Sequence, residues 1–388
     1  MVDVMGPDLI SDLPQSIIES ILVQLPIRDA VRTSILSSKW RYKWALITQL
    51  VFDDKCVPFS NDREVVEMSV VKFITRVLFL HQGPIHKFQI TNSKLQSCPE
   101  IDQWILFLSR NDIKELVMEL GEGEFFRIPS SLFNCRKLTR LELSRSLNLH
   151  QVLISPDAVE SLISRCPLLE SLSLSYFDNL ALTISAPNLK YLYSTLVEIS
   201  IAMYMTDDIA EHFEQSSNCN FLKFLGGVPN LEKLVGLIYF TKVLIRCIFP
   251  IMYHNLETIE LYQVNFEDTK EIFVILRMIT SSPNLKELQI SGSSNIPVAV
   301  DAPDLDFWEK GCLLDSALNK LKTMKLSEMG GWPHEIEFIK YLLCRSPVLE
   351  TLSIIPCVFD MENNLKMLIE LVKCRRASSR AEVIFIHE

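Results

Sequence analysis

The spacing of leucines along the chain predicts a repeat protein. The pattern L-x-x-L-x-L recurs in CRKLTRLEL from Cys135, SPNLKELQI from Ser282 and SPVLETLSI from Ser346. Its last part alternates apolar and polar residues, as in a strand with one buried face. The first apolar positions of the copies are Ile113, Leu138, Leu169, Leu189, Leu231, Leu256, Leu285, Leu321 and Leu349. The long steps from Leu189 to Leu231 and from Leu285 to Leu321 predict insertions.

Helical patterns precede several of these strands. EIFVILRMIT from Glu271 and HEIEFIKYLLC from His334 place apolar residues on one stripe, and SPDAVESLISRC adds Ser155 as a helix cap with Pro156 behind it. Neither a strand nor a helix can bury its apolar side alone, whereas stacked copies share one core. The predicted fold class is therefore α/β, a curved leucine-rich-repeat solenoid with one strand and one helix per repeat.

A different pattern fills residues 8–44 and predicts a module of three short helices. Leu13 and Pro14 begin the first helix, which ends at Pro26. Its apolar stripe consists of Ile17, Ile18, Ile21, Leu22 and Leu25. Asp29 is predicted to cap the second helix, and Ser37 and Ser38 a third that carries Trp40 and Trp44. So small a module cannot surround all these side chains, which predicts a partner-binding face.

The polar positions between the repeat leucines define a second predicted binding face. They mix both charge signs, which disfavours a phosphate or nucleotide pocket and favours a protein or peptide partner with tyrosine anchors. The candidate target-binding residues are Arg140, Glu142, Tyr191, Tyr193, Lys233, Glu260, Tyr262 and Glu287.

Composition narrows the partners and the compartment. The 388 residues carry a net charge of −10, which argues against nucleic acid. No secretory signal is visible, and the apolar stretch from Leu234 is interrupted by Lys242, Arg246 and Pro250, so no membrane segment is expected. Ten scattered cysteines without C-x-x-C favour free thiols in the nucleus and/or cytoplasm. KCRRASSR from Lys373 fits a nuclear signal or a solvated terminal face.

Catalytic and metal-binding motifs are missing from the sequence. There is no G-x-S-x-G, H-E-x-x-H or G-x-x-x-x-G-K-[ST] segment, and no histidine stands at metal-ligand spacing from a cysteine or a second histidine. We therefore expect no enzyme activity, no cofactor and no metal.

The N-terminal residues resemble an F-box. Leu13-Pro14, Leu25-Pro26 and RDAVRTSILSSKWRYKW match its pattern, and LVFDD at Leu50 looks like the strand that opens the repeats in plant F-box proteins. The segment from Gly311 to Ile354 and RASSRAEVIF near the C-terminus are similar to the FBD region of plant F-box/FBD/LRR-repeat proteins. The corresponding predicted domains are the F-box at 1–49, the repeats at 50–305 and an FBD-like region at 306–388.

This resemblance implies an adaptor rather than an enzyme. The F-box would dock on a Skp-type adaptor within a cullin ubiquitin ligase, and the repeats would hold an unknown target protein. The implied Skp-facing residues are Leu13, Pro14, Ile17, Ile21, Leu22, Leu25, Pro26, Val31, Ser34, Leu36 and Trp40, while some of Ile18, Ile35 and Trp44 pack inward. Two alternatives stay open, an interaction scaffold without a ligase role and a small-molecule co-receptor.

Overall fold

A computed structural model describes the chain in two compact units. One holds the described residues up to Leu153 together with Ser161–Ser173, and the other those from Leu174 onwards. The described residues are 13–57, 62–96, 98–121, 126–127, 129–145, 152–153, 162, 164–178, 195–204, 228, 230–237, 239–245, 252–293, 308, 317–357 and 361–386.

The first unit joins short helices to parallel strands. Its helices are α1 (Gln15–Val23), α2 (Ile27–Arg32), α3 (Arg63–Leu80) and α4 (Glu100–Leu108), with 3-10 turns at Thr33–Ile35, Lys43–Leu46 and Ser130–Asn134. Its strands are β1 (Gln49–Asp53), β2 (Lys87–Asn92), β3 (Glu115–Leu120), β4 (Phe126–Arg127), β5 (Arg140–Arg145) and β6 (Val152–Leu153), and β7 (Ser171–Asp178) follows. Strands β1, β2, β3 and β5 pair in that order, and β4 pairs with β6.

The second unit repeats the same construction. Its described strands are β8 (Glu198–Tyr204), β9 (Lys233–Gly236), β10 (Thr258–Val264), β11 (Glu287–Gly292), β12 (Thr323–Met329), β13 (Thr351–Pro356) and β14 (Glu382–Phe385), each pairing parallel with the next. Its described helices are α5 (Phe240–Leu244), α6 (Thr269–Thr280), α7 (Pro333–Arg345) and α8 (Met361–Lys373). The prediction of a parallel strand-and-helix repeat is confirmed.

The strands share one register that stacks the apolar side chains in rows. In the first unit Leu50, Phe88, Leu116 and Leu141 are successive partners and are all buried. In the second unit the row runs through Ile199, Leu234, Ile259, Leu288, Met324, Leu352 and Val383. The predicted anchor positions that are described, from Ile113 to Leu349, are all buried, which confirms the stacking. Leu189 lies outside the described residues.

A tight turn explains why a Cys or Ser recurs three residues before many anchors. The Leu285 N–H donates to Ser282 O and the Leu349 N–H to Ser346 O, and Leu138 and Leu169 bond back to Cys135 and Cys166 in the same way. The Ser282 and Ser346 hydroxyls donate at 2.8 Å to carbonyls one turn earlier in α6 and α7. A small side chain that can donate therefore closes the ends of α6 and α7.

Three local predictions need correction. The third helix of the N-terminal module is replaced by turns at 38–42 and the 3-10 turn Lys43–Leu46, because Trp40 and Trp44 are both buried within this short stretch. Asp29 lies inside α2, 3.6 Å from Arg32, and Pro26 precedes the helix in its place. Pro14 likewise stands just before α1. Most of the predicted Ser155 helix lies outside the described residues.

A buried carboxylate organises the loop before α7. Glu335 accepts the N–H of Trp332 at 3.1 Å and also the N–H groups of Gly330 and Gly331. Gly331 has a φ of +73°, a conformation that favours glycine. Burial nevertheless raises the pKa of Glu335 to about 7, above its ordinary value of 4.5. The folded chain therefore holds this proton more tightly than the unfolded chain does.

We predict that Glu335 makes the chain less stable as the pH rises from about 4.5 to about 7. The stabilisation by this proton is complete below the pKa of the unfolded chain. It is lost as the pH rises through the pKa of the folded chain. Glu335→Gln keeps an acceptor for the loop but cannot ionise, so its unfolding midpoint should fall less over this range than that of the wild type. Thermal unfolding followed by circular dichroism at several pH values measures this; parallel curves for both proteins would contradict it.

Candidate functional site

An apolar surface faces outward from α1. Ile17 and Ile21 lie four residues apart on one side of α1, and Leu25 follows just past its end. Their exposed fractions are 46%, 41% and 38%. The Ile17 and Ile18 N–H groups bond to Pro14 O at 3.0 and 3.1 Å, which fixes the first turn. Side chains this large are usually covered when they lie on a regular apolar stripe.

Two further apolar residues extend the exposed set beyond α1. Ile35 and Leu36 are 85% and 67% exposed at the end of the 3-10 turn. We call Ile17, Ile21, Leu25, Ile35 and Leu36 the N-terminal apolar surface. Leu36 is among the residues predicted to face a Skp-type adaptor. Ile35 was considered for inward packing, yet it is exposed.

Other predicted Skp-facing residues divide into accessible and buried ones. Pro14 and Pro26 are exposed, while Leu13, Val31 and Ser34 are half-buried, with the Ser34 hydroxyl donating to Val31 O at 2.6 Å. Leu22 and Trp40 are buried in the core, and their contact with a Skp-type adaptor stays a prediction. Ile18 and Trp44 are also buried, in agreement with the inward packing considered for these residues.

Polar contacts hold the apolar surface on the first strands. The Glu19 carboxylate accepts from the Thr48 N–H at 3.1 Å and from the Thr48 hydroxyl at 2.7 Å. Lys43 Nζ donates to Gln15 Oε1 at 3.0 Å, and His81 Nε2 lies 2.9 Å from Ile47 O. The surface is therefore presented by a module that is already ordered, which lowers the entropy cost of binding a partner.

A groove of about 250 Å³ runs beside the end of α1. Its lining combines the end of α1 with β1 and consists of Leu22, Val23, Gln24, Leu25, Pro26, Ile27, Ile47, Gln49, Val51 and Asp53. Leu25 belongs both to this groove and to the N-terminal apolar surface, so a partner helix on α1 could send one side chain into it.

The predicted F-box carries as many basic as acidic residues, and its acidic residues Asp3, Asp8 and Asp12 all precede Leu13. Residues 13–46 contain Arg28, Arg32, Lys39, Arg41 and Lys43 but only Glu19 and Asp29 as acidic residues. The acidic residues that give the whole chain its net charge of −10 therefore lie mainly outside residues 13–46. Within residues 13–46 the excess of basic residues is therefore local, and Arg32 is already paired with Asp29 at 3.6 Å.

The second predicted face carries a row of paired polar side chains in the second unit. Lys233 Nζ lies 3.4 Å from Glu198 Oε1 and 3.0 Å from Glu260 Oε1, and the Tyr262 hydroxyl donates to Glu260 Oε2 at 3.1 Å. Gln289 Nε2 donates to the Tyr262 hydroxyl at 2.9 Å. Lys233, Glu260 and Tyr262 are thus brought together as one row, which we call the strand-face ladder.

The remaining predicted target-binding residues are not part of this ladder. Arg140 and Glu142 form their own ion pair at 3.1 Å on β5 in the first unit, and Glu287 is exposed at the start of β11. Tyr191 and Tyr193 lie outside the described residues. Gln289 was expected on this face together with Glu287, whereas Glu198 was not predicted, because only strand register places it beside Lys233.

The described part of the chain contains neither a metal-binding cluster nor a membrane-spanning helix. Within it, no group of three His, Cys, Asp or Glu side chains could hold a metal ion. No helix described here is long and apolar enough to cross a membrane.

Comparisons with known proteins match this architecture. The F-box domain family matches residues 10–46, the LRR repeats of FBD-associated F-box protein At5g56370 match 101–211, and the FBD family matches 312–354. The Arabidopsis thaliana F-box/FBD/LRR-repeat protein At1g13570 is 54% identical over 99% of both chains. The A. thaliana FBD-associated F-box protein At5g56370 is 23% identical, over 97% of this chain and all of its own.

We predict that neighbouring residues of α1 separate folding from surface exposure. Leu22→Ala should lower the free energy of unfolding by about 2–5 kcal/mol, because it empties a fully buried position. Ile21→Ala should cost less than about 1 kcal/mol, because its side chain is largely accessible. Chemical denaturation of the two variants tests this difference, and equal losses would show that α1 is packed differently.

Proposed function

The chain belongs to the F-box/FBD/LRR-repeat family, and from this we propose that it is the substrate-recognition subunit of a Skp-cullin-F-box ubiquitin ligase. Proteins of this family are generally non-catalytic substrate adaptors. In our proposal the F-box docks on a Skp-type adaptor, and through it on a cullin, while the strand face of the repeats holds a target protein for ubiquitination.

The observation that carries the docking role is the N-terminal apolar surface. Its members are large apolar side chains that the first unit leaves exposed. On α1 itself Ile17 and Ile21 are exposed, whereas Ile18 and Leu22 are buried. Fully covering one such side chain is worth about 1.5–3 kcal/mol, so even partial coverage of several supports stable binding. Leu13, Pro14, Pro26, Val31 and Ser34 surround it as further proposed contacts, and Leu22 and Trp40 support it from the core.

Charge supports the same assignment. Basic residues such as Arg28 and Arg41 would add a local attraction for acidic groups of the adaptor, whereas Arg32 already forms an ion pair with Asp29. Binding governed in part by these charges should weaken as salt is added, whereas the apolar contacts should persist.

For the target, the strand-face ladder is the proposed contact region. Its ion pairs are half-exposed and mutually satisfied, so a target must offer polar groups that extend the row rather than break it. The exposed Glu287 at the neighbouring strand would extend the contact, and Arg140 with Glu142 would do so on the first unit. The ladder presents acids together with a lysine and a tyrosine, which suits a protein surface better than a phosphate ligand.

We predict that charge placed on α1 abolishes adaptor binding without unfolding the chain. Ile21→Asp should weaken capture of a purified Skp-type adaptor by at least about tenfold, since it buries an unpaired charge in the proposed interface. Leu106→Asp is the matched control, because Leu106 on α4 is equally exposed at 41%. Binding is measured by isothermal calorimetry at two salt concentrations.

The outcome separates the proposal from its alternatives. Equal adaptor binding by both variants and the wild type would overturn the proposed docking through the N-terminal apolar surface. Adaptor binding without recovery of a cullin from plant extract would favour the interaction scaffold. A large thermal stabilisation by a hormone-like small molecule or a polyphosphate would favour the co-receptor. Residence in the nucleus and/or cytoplasm stays a prediction, which a fluorescent fusion can test.

We also predict that the strand-face ladder selects the target. Proximity labelling with the proteasome inhibited should detect proteins that Lys233→Ala and Tyr262→Ala chains no longer label. Lys322→Ala is the control, because Lys322 forms an ion pair with Glu350 at 3.3 Å outside the ladder. Labelling that is unchanged by the ladder variants, with adaptor binding intact, would place the target contact elsewhere.

A further inference from the structure

A pair of thiols lies where α7 and α8 end. Cys344 is near the C-terminus of α7, and Cys374 directly follows α8. Both sulfurs contact the same backbone oxygen, since Cys344 Sγ lies 3.1 Å and Cys374 Sγ 3.3 Å from Arg375 O. Two residues 30 apart in sequence therefore place their sulfurs around one backbone oxygen.

Access and charge distinguish this pair from the other described cysteines. Cys344 is exposed and Cys374 is half-buried, so a small oxidant in solvent can reach them. Lys340 and Arg376 lie close enough for their charges to favour the Cys374 thiolate. Burial and the neighbouring Cys344 outweigh them and raise the pKa of Cys374 to about 11. Cys344 is the more exposed of the two thiols, so it is the one that meets an oxidant first.

The described cysteines elsewhere lack this combination. Cys135 and Cys166 influence each other, but both are buried, and burial raises their pKa values to about 12 and about 11. Cys56 and Cys98 stand next to carboxylates, at Asp53 and Glu100, which together with burial raise their pKa values to about 12. These four thiols serve as internal controls.

The helix that the pair would fasten is held on one side only. Met367 and Leu371 are the buried apolar residues of α8, and Lys340 of α7 bonds to Glu370 at 2.9 Å. A second stripe on α8 is exposed and consists of Leu365, Leu368, Ile369 and Val372. A covalent link at the C-terminal end of α8 would therefore add a restraint where packing is incomplete.

We propose that Cys344 and Cys374 form a peroxide-responsive thiol pair that closes reversibly into a disulfide and fastens α8 to α7. The Cys344 thiolate attacks hydrogen peroxide, forming an S–O bond as the O–O bond breaks and hydroxide leaves. The Cys374 sulfur then attacks the Cys344 sulfur, forming the S–S bond and expelling the second oxygen as water with the Cys374 proton. Two thiols lose two electrons and two protons, and peroxide is reduced to two waters.

The test uses the full chain, reduced and then exposed to a small excess of hydrogen peroxide. After alkylation and digestion without reductant, the Cys344 and Cys374 peptides should appear as one linked species, lighter by about 2 Da than their sum, and dithiothreitol should separate them. Amide hydrogen exchange in α8 should slow by at least about tenfold in the oxidised chain. Phenylarsine oxide, which binds two thiols at once, should protect the pair from alkylation before oxidation.

Matched variants keep the result interpretable. Cys344→Ser should lose the linked peptide, the arsenical protection and the change in exchange, whereas Cys357→Ser, which alters a half-buried cysteine after β13, should keep all three. Three results would each overturn the proposal. They are accumulation of Cys344 as a sulfinic acid without a link, pairing of Cys344 or Cys374 with another cysteine, and a Cys344–Cys374 link that leaves hydrogen exchange in α8 unchanged. Adaptor binding is measured on the same samples and has no bearing on this outcome.

Discussion

The repeats depend on one backbone arrangement, in which a single carbonyl accepts two successive N–H groups from the next repeat. In the second unit Lys322 and Thr323 both donate to Lys286 O, at 2.8 and 3.1 Å, and Glu350 and Thr351 both donate to Lys322 O. In the first unit Lys114 and Glu115 donate to His86 O in the same way. Each strand therefore begins at a fixed level relative to its neighbour. A shift by one residue would exchange the apolar core face with the polar face along the whole strand.

Much of this arrangement could be predicted from the sequence because it rests on periodicity. The anchors from Ile113 to Leu349 mark the strands, and the Cys or Ser before them marks the end of a helix. Periodicity identifies an apolar stripe but not how much of it is covered, since coverage depends on elements distant in sequence. Leu22 and Ile21 are adjacent and equally apolar, yet only Leu22 is buried. For the same reason spacing alone does not predict that Trp40 is buried and Ile35 is exposed.

The two candidate surfaces differ in the physical source of their binding energy. The N-terminal apolar surface exposes side chains whose coverage is favourable in itself, so it can supply affinity to a constant partner. The strand-face ladder has polar groups that already satisfy one another, as Lys233 does with Glu198 and Glu260. Displacing such contacts gains little, but misaligning them is costly, so this surface is better suited to discriminating between partners. An adaptor is expected to bind one constant partner strongly and to select among others. The N-terminal apolar surface suits the first task and the strand-face ladder the second.

Cysteine shows how position within a repeat decides the chemistry of a residue. Cys135 and Cys166 occupy the inward turn that Ser282 and Ser346 fill in later repeats, where a small weak donor is needed and reactivity is suppressed by burial. Cys344 stands two residues before Ser346, and two steps of an α-helix turn a side chain by about 200° to the opposite side. The same residue type then faces solvent instead of the core. Its partner Cys374 arrives from the end of α8, so the pairing depends on how α7 and α8 pack, and spacing in the sequence gives no sign of it.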